Sequence, residues 1–342
     1  MREDLRQIVV LGAPMESEAL LEGVNLMPAA LRAAGLIRAL GAGDLGDLPI
    51  AVTDPRRDPA TGLVAFEQVC AATGLVRDGV AALLDDAPAS SMSGPLATPA
   101  PPPARAGRSR GARPPSGAGP EAAGPPRLPL VVGGCCGILV GIFAALTAAY
   151  GRVGLAFVDG HYDYYDPATS PAGALADTEL RILTGAGPDE LVGAGAHRPL
   201  LEARDAWLLG CRDSEEMAAS GAPDPMAELA AAEARDDVAI RSAGAGEVGA
   251  QAAAALAAGA GRFWVHVDLD VLSTDAMPAV DYLLPGGLDW RELAGLLRPL
   301  ATSPACVGMD VTIYNPSLDP ERRLAPRIVN LLAQALAVAE SD

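Results

Sequence analysis

Two acidic clusters have the residue types and the spacing of a site for divalent cations. Asp159-Gly160-His161-Tyr162-Asp163 follows an apolar run at 153–158, and Asp268-Leu269-Asp270 follows another at 263–267. In an extended segment, residues two apart point the same way, so Asp159, His161 and Asp163 can converge on one point, as can Asp268 and Asp270. Taken singly, the first cluster reads equally well as a polar loop with helix-capping aspartates, and the second is a weaker signal still. Taken together, they put carboxylates at the ends of buried strands, where burial is costly without a cation. Oxygen-rich ligation with one imidazole suits Mn²⁺ better than a structural Zn²⁺.

The elements that must position these residues alternate along the chain. Strands are expected at 7–12, 49–53, 130–132, 153–158, 206–209, 238–241, 263–267 and 306–311. Helices are expected near 28–40, 62–85, 138–149, 178–183, 224–236, 248–258, 290–300 and 324–339. Apolar strands alternating with amphipathic helices specify an α/β fold whose mostly parallel sheet is covered on both faces. Ligands of such sheets bind beyond the carboxyl ends of the strands, where both clusters sit. Residues 88–127 form a Pro/Ala/Gly-rich tract that includes Pro101-Pro102-Pro103. Such a composition cannot bury enough apolar surface to offset its ordering entropy, so this stretch reads as a disordered insertion between 1–87 and 128–342.

Bulk properties narrow the partners. A formal net charge of −18 in 342 residues argues against nucleic acid and anionic membranes. No apolar stretch reaches about 18 residues, because glycines divide 128–150 into a strand and a helix. The charged start Met1-Arg2-Glu3-Asp4 lacks a signal-peptide pattern, so a cytoplasmic protein acting on a small molecule is expected. Five irregularly spaced cysteines do not make a disulfide framework.

Other motifs stand in order around the two clusters. They include Glu22-Gly23-Val24, Pro28-Ala29-Ala30-Leu31-Arg32, Gly133-Gly134-Cys135-Cys136-Gly137 and Thr169-Ser170-Pro171. Gly210-Cys211-Arg212-Asp213, Pro285-Gly286-Gly287-Leu288 and Asn315-Pro316-Ser317-Leu318-Asp319 follow. With these motifs the chain resembles the arginase–agmatinase family, the ureohydrolases, over nearly all its length outside the insertion. The resemblance implies an arginase-like three-layer α/β/α fold, an assembly into homotrimers or homohexamers, and two Mn²⁺ ions. It assigns Cys136, Asp159, Asp163 and Asp268 to one ion, and Asp159, His161, Asp268 and Asp270 to the other. In that family a metal-bound hydroxide attacks an sp² carbon. Asp163 is then the group that accepts the proton and passes it to the leaving amine.

Four departures bear on the substrate. Cys136 stands where the family has a metal-ligating histidine, and it reads either as a soft ligand or as a small buried residue. Cys135 and Gly137 replace the aspartate and serine beside that histidine. Ala172, Ala174 and Ala176 replace the serine, asparagine and histidine that grip an amino-acid carboxylate and relay protons in arginases. Ile313 replaces the glutamate that pairs with the guanidinium, so ordinary arginase activity is not expected. Glu215 is a candidate contact to a substrate amine, or else a solvated charge. Tyr162, Tyr164 and Tyr165 read as substrate contacts or as loop packing, while His197 and His266 read as structural, with His266 on the strand face of Asp268. Two functions follow: a metal-dependent hydrolase of a C–N bond in an amidine, modified guanidine or amide, or a catalytically silent relative that binds a ligand or partner.

Overall fold

Runs such as Leu155–Val158 carry no polar face, so they must be covered on both sides. A computed structural model, which describes residues 6–17, 23–85 and 127–338, places such runs at the centre of one sheet. Its strands are β1 (Gln7–Ala13), β2 (Gly43–Asp47), β3 (Arg127–Gly133), β4 (Gly154–Val158), β5 (Ala206–Gly210), β6 (Glu233–Asp236), β7 (Phe263–Asp268) and β8 (Cys306–Thr312). Their order is β2-β1-β3-β8-β7-β4-β5-β6, and every neighbouring pair is parallel. All residues of β4 and β7 are buried, as their central places require.

The helices are α1 (Met27–Ala33), α2 (Leu36–Leu40), α3 (Phe66–Leu84), α4 (Ile138–Tyr150), α5 (Glu179–Leu183), α6 (Asp189–Val192), α7 (Ser214–Ser220), α8 (Pro225–Glu228), α9 (Asp237–Ala243), α10 (Ala245–Gly259), α11 (Trp290–Ala301) and α12 (Ala325–Ala335). On one face α3 packs on α4 and touches β1 and β3. On the other, α10 packs on α11, α11 on α12, and α12 on α1 and α2. The result is three layers, α/β/α. The sequence of α11 shows why it forms where it does: Asp289 and Glu292 close a capping box, and Leu293, Leu296, Leu297 and Leu300 fall on one buried stripe. Residues 138–147 of α4 are all buried, which accounts for the apolar stretch there. Among the described residues no helix is long and apolar enough to cross a membrane.

Several expected elements differ. No strand forms at 49–53; the edge strand is β2, whose backbone pairs with β1 and whose Asp44 and Asp47 are held by Arg32. Pairing to β1 therefore decides the strand at a Gly-Asp-Leu-Gly-Asp run with little strand propensity of its own. The helix expected at 224–236 stops after the single turn of α8, because 233–236 pair with β5 as the other edge strand. The strand expected at 238–241 is the helix α9, since the Asp236 side chain accepts a hydrogen bond from Ala239 N at 2.7 Å and caps it. The helix at 28–40 is broken into α1 and α2 at Gly35, whose φ of 92° is left-handed. Of the Pro-rich tract expected as disordered, 88–126 lie outside the described residues, and Arg127 opens β3. Glu22 and the expected helix end at Ala339 also lie outside them.

Gly249 sets the approach of α10 to α11, because a Cβ there would lie 2.2 Å from the Leu296 carbonyl oxygen. At Gly246 the nearest atom would be 3.7 Å away, which is ordinary contact. In chemical denaturation Gly249→Ala is expected to lose about 1–3 kcal/mol through overpacking. Gly246→Ala should be neutral or slightly stabilising, since alanine is the better helix former.

Candidate metal centre

Four adjacent strands, β3, β8, β7 and β4, deliver the site from their carboxyl ends. Beyond β3 the chain turns tightly against residue 15: Cys135 N donates to Met15 O at 2.9 Å, and a Cβ at Gly134 would lie 2.1 Å from that same oxygen. This turn carries Cys136 inward. Asp159 directly follows β4, and Gly160 N donates to Asp270 Oδ1 at 3.0 Å, tying the two acidic loops together. Asp163 has a φ of 45°, a left-handed conformation that aspartate tolerates better than most residues. Asp268 ends β7 and caps the turn Leu269–Val271 through Asp270 N at 2.7 Å.

The two distant clusters meet. Ligand atoms of Asp159, His161 and Asp270 lie within 4.8 Å of one another, as do those of Cys136, Asp159, His266 and Asp268. The same holds for Cys136, Asp159, Asp163 and Glu179. Asp159 belongs to all three sets, which is the placement a bridging carboxylate needs. The Cys136 thiol donates to Asp268 Oδ2 at 2.7 Å, and Thr312 Oγ1 donates to the same oxygen at 3.3 Å. His161 Nδ1 is 2.8 Å from Asp270 Oδ2. Asp159 Oδ1 accepts from His161 N at 2.7 Å, whereas Asp159 Oδ2 is buried without a hydrogen-bond partner.

The electrostatics of this cluster are those of like charges forced together. Burial first, and then neighbouring carboxylates, push Asp159, Asp163 and Asp268 above the usual carboxylate range, the last two by a wide margin. Burial also raises Glu179 well above it. Asp270 alone is held low, because His161 outweighs its burial. Burial opposes charge on His161, but Asp270 and Asp159 prevail and push it up to about 10. Hard oxygens, one imidazole and an orphaned buried carboxylate oxygen fit divalent cations of the manganese type. The Cys136 thiol is driven well above its ordinary range by burial and by Asp268, and its sulfur is the soft donor of the set.

Behind the cluster lies a network centred on Asp310. It accepts from Trp264 Nε1 at 2.5 Å and faces His266 Nδ1 at 2.6 Å. His266 stacks on Phe157 and turns Nε2 toward Asp159 Oδ2 at 3.6 Å, too long for a hydrogen bond. His266 is therefore a buried positioning group beside the site. Its parity with Asp268 along β7 was the only sequence signal for this, and Asp310 carried none.

A sequence comparison matches residues 114–338 to the Arginase family. The chain belongs to the arginase family. It is 25% identical over 334 residues to the arginase of Staphylococcus aureus strain MRSA252, covering 95% of each chain. Among solved structures, the arginase of Bacillus caldovelox superposes with a TM-score of 0.77 at 23% identity, covering 99% of this chain and 100% of the other. The formimidoylglutamase of Bacillus subtilis superposes with a TM-score of 0.67 at 18% identity, covering 98% and 88%. Membership supports a metal-dependent amidinohydrolase, in a family that is typically binuclear.

In this arginase-family chain a cavity of about 160 Å³ opens onto the cluster. Cys136, His161, Asp163, Asp268 and Asp270 line it, while Asp159 is fully buried. Ile313 forms an apolar wall, with its N–H on Gly134 O at 2.7 Å and a φ of 73°, an outlier for a β-branched residue. Ala172 and Ala176 also line the cavity and Ala174 does not. Glu215 is exposed and outside the lining; the next residue of α7, Glu216, lines the cavity instead, because successive helical side chains point about 100° apart. Of the three tyrosines only Tyr165 lines it; Tyr162 is buried, and Tyr164 stacks beneath Arg181 and reaches Glu228. Asp213, raised to about 6 by burial, lines the cavity and accepts from Tyr162 N at 3.0 Å. His197 is exposed and outside the cavity. The cysteines are free thiols.

Asp163, Glu179 and Asp268 hold protons in the folded chain that the unfolded chain releases near the ordinary carboxylate pKa. Their stabilisation is thus present at low pH and lost as pH rises. His161 has the same sign, with its contribution lost between 6.5 and about 10, and Asp270 opposes it. In EDTA the melting temperature should therefore fall from about pH 5 to about pH 9. Saturating Mn²⁺ should flatten or reverse that slope; coincident curves with and without the metal would contradict the cation site.

Proposed function

We propose that this protein is a Mn²⁺-dependent hydrolase of a C–N bond in an amidine, guanidine or amide whose far end carries no carboxylate. The observation that carries this reading is the convergence of buried carboxylates, one with an orphaned oxygen, at the base of a cavity. Asp159 and Asp268 would bridge two ions, with Cys136 and Asp163 on one side and His161 and Asp270 on the other. The chemistry supplied by such a pair is activation of water, whose pKa falls toward neutrality beside a divalent ion. Asp163 faces the cavity and can accept the water's proton and return it to the leaving amine. Glu216, Asp281 and Asp213 give the cavity an acidic lining, and among the described residues no arginine lines it. A free α-carboxylate would meet repulsion there, while Ile313 offers a planar apolar or weakly charged group a surface rather than a salt bridge.

Cys136 supports a second reading, a silent relative, because a soft sulfur is a poor ligand for a hard ion. A panel of amidino, guanidino and amide compounds with Mn²⁺ present separates the two by release of ammonia, amine or urea. The expected outcome is turnover of a carboxylate-free compound, with kcat/KM for L-arginine about 100-fold lower, the effect of two lost hydrogen bonds of about 1.4 kcal/mol each. Asp163→Asn should lower kcat on the best compound by about 100-fold or more. Turnover of none, by protein carrying Mn²⁺, would favour the silent relative; arginine as the best substrate would refute the reading of Ile313 and Ala176.

A further inference from the structure

We propose that Glu179 is a metal ligand, adding a hard oxygen donor beside the soft sulfur of Cys136. This rests on the metal-centre reading above and adds a residue outside the six ligands which that reading uses. Glu179 is 0% exposed, and neither of its carboxylate oxygens has a hydrogen-bond partner. Buried carboxylates are otherwise paired or hydrogen-bonded, so two orphaned oxygens on one group require a partner. Their position says which kind, since the ligand atoms of Glu179, Asp163, Asp159 and Cys136 all lie within 4.8 Å of one another.

The local fold places the side chain there. Thr178 Oγ1 donates back to Ala174 O and Leu175 O at 3.2 and 3.1 Å, so its hydroxyl does not cap the helix that follows. Leu180 N donates to Asp163 O at 3.2 Å and fastens the start of α5 to the first acidic loop. Glu179, the first residue of α5, is thereby set beside Asp163. Asp159 acts on it as a like charge that makes its burial worse, and His266 eases it only in part. A divalent ion held jointly by Asp159, Asp163 and Glu179 turns that repulsion into ligation. Oxygen donors suit such an ion better than the sulfur of Cys136 does.

The test uses the full chain, with metal counted by mass spectrometry after dialysis and Mn²⁺ affinity measured by calorimetry. Wild type should hold about two Mn²⁺ per chain, and Glu179→Gln about one, with the weaker site's Kd raised about 100-fold or more. The metal-free melting temperature of Glu179→Gln should stay level or rise, because a buried amide is less costly than a buried carboxylate. A merely structural glutamate would give the opposite pattern, lower metal-free stability with unchanged Mn²⁺ affinity, and that result overturns the proposal. If Glu179→Gln fails to fold, Glu179→Asp carries the comparison: a raised Kd supports ligation and a wild-type Kd overturns it. Two ions in Glu179→Gln at wild-type affinity sink this proposal alone. No Mn²⁺ in wild type sinks both it and the metal-centre reading.

Discussion

Like charges buried together are the constraint on which the rest of the structure depends. Asp159, Asp163, Glu179, Asp268 and Asp270 are all buried around one locus, and the neighbouring cations among their interactions are histidines. Each carboxylate removed from water costs several kcal/mol unless its charge is met. Protons can meet it at low pH, and under the proposed function divalent ions would meet it at neutral pH, coupling folding to ion content. The three-layer architecture creates that situation by sealing both faces of the sheet with helices and leaving only the strand ends open.

The site is rigid because its supports are layered. Gly134 and Gly160 let backbone pass where no side chain fits, bringing three loops within hydrogen-bond reach. Behind Asp159, His266 is fixed on one side by Asp310 and on its ring face by Phe157. Asp310 is itself fixed by Trp264, so a strand two places along the sheet helps determine where Asp159 can sit. Asp163 and Ile313, both at the site, keep left-handed backbone where the surroundings over-determine it.

The scaffold is that of the arginases, and the proposed change lies in the cavity wall. The superposition on an arginase covers nearly the whole chain, while Ala172, Ala176 and Ile313 give the cavity walls without side-chain hydrogen-bonding groups. A small cavity with apolar walls and carboxylates around it discriminates by rejecting a misplaced negative charge as much as by attracting the right group.

The two acidic clusters, the family and the alternation of buried strands with amphipathic helices were legible in the sequence, because spacing of two in a strand and of three to four in a helix is a local property. The edge strands were not. Both β2 and β6 are polar runs that pair only because a neighbour offers its backbone, and the Ala-rich run before β6 favours helix until that pairing competes. Glu179 was hidden for a related reason: it reads as an ordinary acid in a helix's first turn, and only the hydrogen bond from Leu180 to Asp163 carries it to the metal cluster. Glu216 took the place of Glu215 because the start of α7, set by tertiary packing, decides which of two adjacent acids faces inward. Residue types and their periods thus determined what chemistry the chain can carry, and long-range contacts decided which side chains share one buried point.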